Sequence, residues 1–174
     1  MPEHSPHLLG FAAFSGTGKT TLLIQLIPIL KQTGLRVGVI KHSHHDFEID
    51  YPGKDSFQLR AAGGTPIMIS STYRQAIITE HSIPQPIDFA SQLAAFPGDN
   101  VDLILVEGFR NEEFAKIECH RPRLGKPLLY PNDSQIIAIA SDQTLNTTPP
   151  IPALDLNRPK QIAEFIISHI SQLS

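Results

Sequence analysis

The residues best equipped for chemistry stand together near the start of the chain: Ser15, Gly16, Thr17, Gly18, Lys19, Thr20 and Thr21, the run SGTGKTT. Their order nearly matches G-x-x-x-x-G-K-[ST], with Ala13 where the pattern has its first glycine. Gly16 and Gly18 let the backbone close on an anion, so that several main-chain N–H groups converge on phosphate. In that arrangement Lys19 reaches the terminal phosphates, the Thr20 hydroxyl ligates Mg²⁺ and Thr21 lies near the first phosphate. Helix-end electrostatics contribute only about 0.3–2 kcal/mol, so clustered amide hydrogen bonds and the lysine charge must supply most of the grip. Ala13 falls at the end of the preceding strand, where a methyl group is accommodated if φ is negative.

A magnesium site needs a second oxygen donor, and VDLILVEGF offers Asp102 and Glu107. Along a strand these are about 16 Å apart, so only one can meet the metal. Ligands bind at the carboxyl ends of strands in open α/β sheets, which selects Glu107 and leaves Asp102 at the far edge. KHSHHDF, residues 41–47, leaves a strand at the same edge. Asp46 is placed to hold a metal-bound water or orient an attacking one, with Lys41 and the histidines directed at phosphate or a partner. His42, His44 and His45 are also candidate ligands for zinc or nickel. IAIASD ends another strand there, and the Asp142 carboxylate can accept from guanine N1–H and the exocyclic amine, which favours GTP over ATP. A helix-capping or turn role for Asp142 stays open. Arg121, Arg123 and Lys126 in HRPRLGK read as a solvated basic loop, with a phosphate-closing lid as the other reading.

The elements that must position these groups follow from periodicity. Leu8 to Phe14 is a short apolar strand, Thr20 to Gln32 a helix bent at Pro28 and closed by Gly34, and Arg36 to Lys41 a buried strand. That βαβ unit makes its two strands parallel. After a long polar loop, His42 to Lys54, come a short helix at Ser56 to Ala62, strands in TPIMISS and QAIITE around a turn at Thr72 to Arg74, and a helix in PIDFASQLAAF. Val101 to Phe109, AKIECH and QIIAIASD read as strands, a Pro/Thr/Asn-rich connection runs through Pro152, and a last amphipathic helix spans Pro159 to about Leu173. The expected fold is a three-layer α/β P-loop NTPase, with a mostly parallel central sheet and helices on both faces, as one domain over residues 1–174.

Composition narrows the function classes. A net charge of -3 without a long Lys/Arg run gives no footprint for nucleic acid or an anionic membrane. No apolar run reaches the roughly 20 residues needed to span a bilayer, and LLGFAAFSG reads as a strand rather than a leader. The single cysteine, Cys119, leaves no internal disulfide, so a reducing, cytoplasmic setting is expected.

The segments FAAFSGTGKTTLL, GVIKHSHHDFEID, PGKDSFQLRAAG, VDLILVEGF, AKIECHR and IAIASD resemble the molybdopterin-guanine dinucleotide biosynthesis adapter family, MobB, over nearly the whole chain. The resemblance implies a homodimeric GTP-binding protein that works with the MobA-like molybdopterin guanylyltransferase, with molybdopterin as a further candidate ligand. It carries the nucleotide site onto Gly16, Thr17, Gly18, Lys19, Thr20 and Thr21, and the metal side onto Glu107. Two departures matter. Phe14 stands where some wider relatives carry an extra phosphate lysine, and GFRNEE after Glu107 lacks the glutamine that many GTPases use to orient water, so hydrolysis should be slow. Two other functions stay in view: a small P-loop kinase with Asp46 as base, and a metal-inserting GTPase that loads the histidine loop.

Overall fold

The computed structural model describes residues 5–43 and 47–173. The chain divides into two compact units, Met1–His42 with Ala95–Ser174, and Ser43–Ala94.

The larger unit is built on strands β1 (His7–Ala12), β2 (Val37–Lys41), β5 (Leu103–Glu107), β6 (Lys116–His120), β7 (Ile136–Ser141) and β8 (Ala153–Asp155). They form one sheet in the order β2-β5-β1-β6-β7-β8. Every pairing is parallel. Helices α1 (Lys19–Gln32) and α4 (Pro159–Ser171) connect to this sheet. Period-two alternation explains one face: Leu9 and Phe11, Leu103 and Leu105, Ile117 and Cys119, Ala138 and Ala140 all enter the main core. Leu22, Leu26 and Leu30 recur every fourth residue and turn one side of α1 onto it, while Ile162, Ile166 and Ile170 do the same for α4. Each fully buried aliphatic side chain contributes about 1.5–3 kcal/mol, enough to hold the helices without strong intrinsic propensity. Pro28 lies inside α1 without ending it.

The other residues of β5 are equally shielded, since Ile104 and Val106 are fully buried too. On that second face Gly10 leaves room for the Phe114 ring, and Lys116 is buried with its ammonium 3.0 Å from Asp133. At the amino-terminal edge, Arg36 grips Asp102 through its guanidinium and its backbone N–H. The three-residue β8 falls between the Pro/Thr/Asn-rich connection that runs through Pro152 and the last helix, where the sequence reading places no element, because so short a strand carries no periodicity.

The smaller unit holds α2 (Asp55–Ala61) and a two-stranded antiparallel hairpin, β3 (Ile67–Ser70) with β4 (Gln75–Ile78). The hairpin turn is fixed where the sequence places it: the Ser71 hydroxyl accepts from the Tyr73 and Arg74 amides. Arg60 of α2 is ion-paired with Glu48 and Glu80. Met68, Tyr73 and Ile77 are exposed. A further short helix, α3 (Phe89–Ala95), follows. Among the described residues no helix is long and apolar enough to cross a membrane.

A β-carbon added at Gly10 would sit 2.3 Å from a Phe114 ring carbon. Gly10→Ala should therefore lower unfolding stability by about 1–3 kcal/mol, measured by urea denaturation, and Phe114→Leu in the same chain should recover part of that loss.

Candidate functional site

The loop between β1 and α1 closes over its own backbone. Gly16 and Gly18 both adopt positive φ, at 80° and 94°, a conformation open to glycine at no steric cost. Gly18 is the N-cap of α1 and offers no side chain, so the first amides of the helix stay available at its start. Ala13 is not among the positive-φ residues, which accounts for its methyl being tolerated at the pattern's first position. Thr17 is buried, with its hydroxyl donating to the Phe14 carbonyl at 2.7 Å, and this bond pins the loop's apex. Lys19 folds back across the loop, and its ammonium donates to the Ala13 carbonyl at 3.2 Å.

Strand order supplies the carboxylate. Because β5 lies between β1 and β2, Glu107 is in register with Phe11 on one side and Lys41 on the other. The Thr20 hydroxyl donates to Glu107 Oε1 at 3.0 Å, and the Lys41 ammonium is 3.3 Å from Oε2. Thr20 and Glu107 thus meet although 87 residues separate them. Asp102 lies at the other end of β5, paired with Arg36, as the strand-length argument requires.

Just past Glu107 the chain turns sharply. Gly108 has φ 101° and Phe109 φ 49°, the latter the one non-glycine with positive φ among the described residues. A β-carbon at Gly108 would stand 2.7 Å from that of His42, and the His42 ring stacks on Phe109 at 4.8 Å. His44, His45 and Asp46 lie outside the described residues. Phe14, standing where a second lysine occurs in the wider class, has the Arg110 guanidinium 6.0 Å and the Lys126 ammonium 5.9 Å from its ring centre.

At the ends of β6 and β7, Arg121 differs from its reading as a solvated loop residue. Its Nε donates to the Thr17 carbonyl at 2.7 Å and its Nη1 to Asp142 Oδ2 at 2.6 Å. Arg123 and Lys126 are exposed, as expected. Asp142 lines a cavity of about 530 Å³ with Ser141, Gln143, Thr144 and Asp155, and its second oxygen is buried with no hydrogen-bond partner. Sequence reasoning also passed over Lys116, Glu118 and His120, which alternate along β6 and are all buried. Charged residues at every second position of an otherwise apolar strand were the available signal. Glu118 accepts from the Leu129 and Tyr130 amides, both at 2.9 Å, which anchors the following loop. Burial pushes its carboxyl above the ordinary range, against the pull of those two amides and of His120.

A family model described as Molybdopterin guanine dinucleotide synthesis protein B, MobB, matches residues 8–142, which include the phosphate-type loop, Glu107, Arg121 and Asp142. The chain belongs to this family. The molybdopterin-guanine dinucleotide biosynthesis adapter protein of Escherichia coli is 45% identical over 161 residues, covering 92% of this chain and 91% of its relative. The adapter protein of that name from Haemophilus influenzae is 43% identical, covering 91% and 86%. Among solved structures, a molybdopterin-guanine biosynthesis protein B is 26% identical with a TM-score of 0.68, covering 93% of this chain and 99% of that one. The MobB of Bacillus subtilis, at 20% identity and a TM-score of 0.69 over 94% and 96%, shares the fold. These likenesses and the parallel sheet establish the three-layer α/β class read from the sequence.

Cys119 is buried on the main-core side of β6, and desolvation pushes its thiol up to about 12, although Lys19 and Arg121 act in the opposite sense. The native protein should therefore remain unmodified by Ellman's reagent at pH 8 and release one equivalent of thionitrobenzoate only on unfolding in guanidinium.

Proposed function

We propose that this chain is a GTP-binding adapter of molybdopterin-guanine dinucleotide biosynthesis, acting by nucleotide-dependent docking, with only slow GTP hydrolysis of its own. The observation that carries the nucleotide reading is the meeting of Thr20 and Glu107 at 3.0 Å beside a lysine that already lies across a glycine loop. Ser15 to Thr21 supply the phosphate cradle, with Lys19 neutralising charge on the terminal phosphates.

A hydroxyl and a carboxylate side by side are hard oxygen donors of the kind Mg²⁺ prefers, so Thr20 and Glu107 would hold that ion through one or both oxygens. Bound there with nucleotide, it would offset charge on the β- and γ-phosphates. Lys41 meanwhile occupies the other oxygen of Glu107 and helps to aim the carboxylate.

Asp142 favours guanine. It lines the 530 Å³ cavity and has one oxygen without a hydrogen-bond partner, so its carboxylate has capacity to accept from the donors on a guanine edge and would have nothing to accept from adenine in that arrangement. Slow hydrolysis follows from the lack of a water-orienting glutamine after Glu107, with Asp46 the remaining candidate for that task. A kinase would need an arginine free to swing over its substrates, whereas Arg121 is committed at two points. The relatives' names give the pathway, from which we take the MobA-like guanylyltransferase as the docking partner and molybdopterin as a further ligand. The exposed Met68, Tyr73 and Ile77 of the hairpin unit support assembly as a homodimer. A cytoplasmic location suits the lone reduced cysteine.

Calorimetry with GTP, ATP and GDP, with and without Mg²⁺, tests this reading. GTP should bind best, Lys19→Ala should weaken it by about a hundredfold or more, and Glu107→Gln should abolish the gain from Mg²⁺. An absence of heat with any nucleotide, or an indifferent Lys19→Ala, would overturn it. Single-turnover assays should show GTP cleaved far more slowly than the 1–100 s⁻¹ or so typical of kinases.

A further inference from the structure

Arg121 leaves the end of β6 and reaches back over the phosphate-type loop. Three of its nitrogens are accounted for: Nε on the Thr17 carbonyl at 2.7 Å, Nη1 on Asp142 at 2.6 Å, and Nη2 lying 3.5 Å from where a Gly18 β-carbon would stand. The guanidinium thus lies against the Thr17–Gly18 segment, and its side chain is only 22% exposed. We infer that Arg121, anchored by Asp142, is a positioning residue that sets the Thr17–Gly18 peptide so that the Gly18 N–H faces the bound phosphate.

The reasoning is geometric. The only cis peptide among the described residues is Thr65–Pro66, so the Thr17–Gly18 bond is trans. In a planar trans peptide the C=O and the N–H point in opposite directions. Holding the carbonyl on Arg121 therefore turns the amide hydrogen to the other side of the loop. Thr17 is itself buried and tied to Phe14, so that end of the peptide cannot drift. The other end is glycine, which populates positive and negative φ with similar ease and offers no resistance of its own to a peptide flip. A flipped peptide would point a carbonyl at the anion instead of an N–H. Removing that alternative raises the fraction of loops ready to bind, and apparent affinity rises in proportion. Planarity matters, since a fork can grip a carbonyl and a carboxylate together while an ammonium is a point charge. Asp142 then has two duties, one oxygen anchoring Arg121 and the other left for the base.

This rests on the phosphate-site reading above, and inorganic tripolyphosphate separates the two because it has no base. With wild type, Arg121→Ala, Arg121→Lys and Asp142→Ala, Mg²⁺–tripolyphosphate affinity is measured by calorimetry and the Gly18 amide is followed by ¹⁵N NMR. Arg123→Ala, in the same loop, is the control, and urea midpoints confirm folding. Arg121→Ala and Asp142→Ala should each weaken tripolyphosphate by about tenfold, the loss of one charge-assisted hydrogen bond, and both should shift the Gly18 resonance. Arg121→Lys should stay nearer the alanine variant than the wild type. Charge alone predicts the opposite sign for Asp142→Ala, because deleting a negative charge favours an anion. Unchanged or tighter binding in Asp142→Ala would overturn the positioning role and leave the phosphate site standing. If wild type bound neither tripolyphosphate nor GTP, both readings would fall.

Discussion

A parallel sheet brings every strand to the same edge, and the lateral order of the strands decides which residues meet there. Here the deciding feature is β5 between β1 and β2, whose register sets Glu107 level with Phe11 and Lys41. Shifting that register by one residue would exchange the faces of β5 and carry the carboxylate away from Thr20. Complete burial of Leu103 to Val106 makes such a slip costly, because apolar contacts on both faces would have to be rebuilt. The chemistry at the edge is thus held in place by apolar packing at the centre.

Charge at that edge is balanced locally. Lys41 faces Glu107, Arg121 faces Asp142, and Lys19 rests on a carbonyl. Arg121 and Lys19 also hold backbone carbonyls of the glycine loop, so these charges act as struts as well as a field. The same economy appears on β6, where Glu118 binds two amides of the next loop and Lys116 reaches Asp133. Buried charges of this kind cost stability unless they are paired or hydrogen-bonded, and Glu118 and Lys116 each have such partners.

Much of this was legible in the sequence. β1, the glycine loop, α1 and β5 follow from apolar runs and turn residues, and the choice of Glu107 over Asp102 needed only the rise per residue along a strand and the rule that ligands bind at the carboxyl ends of parallel strands. Strand order was not legible, since periodicity says which face a residue takes and nothing about which strand is its neighbour. That is why the Lys41–Glu107 pairing and the reach of Arg121 to Thr17 appear only in three dimensions. β8 escaped because three residues carry no periodicity. Arg121 escaped because its neighbours Arg123 and Lys126 are solvated and lent it their character, whereas its place one residue beyond a buried strand set it apart.

Cys119 has a practical corollary. With the native thiol shut inside the sheet, a cysteine introduced at exposed Tyr73 would be the single reactive handle on the surface. A fluorophore or spin label attached there would report on the hairpin unit alone, so distances across any assembly could be read without first editing the interior.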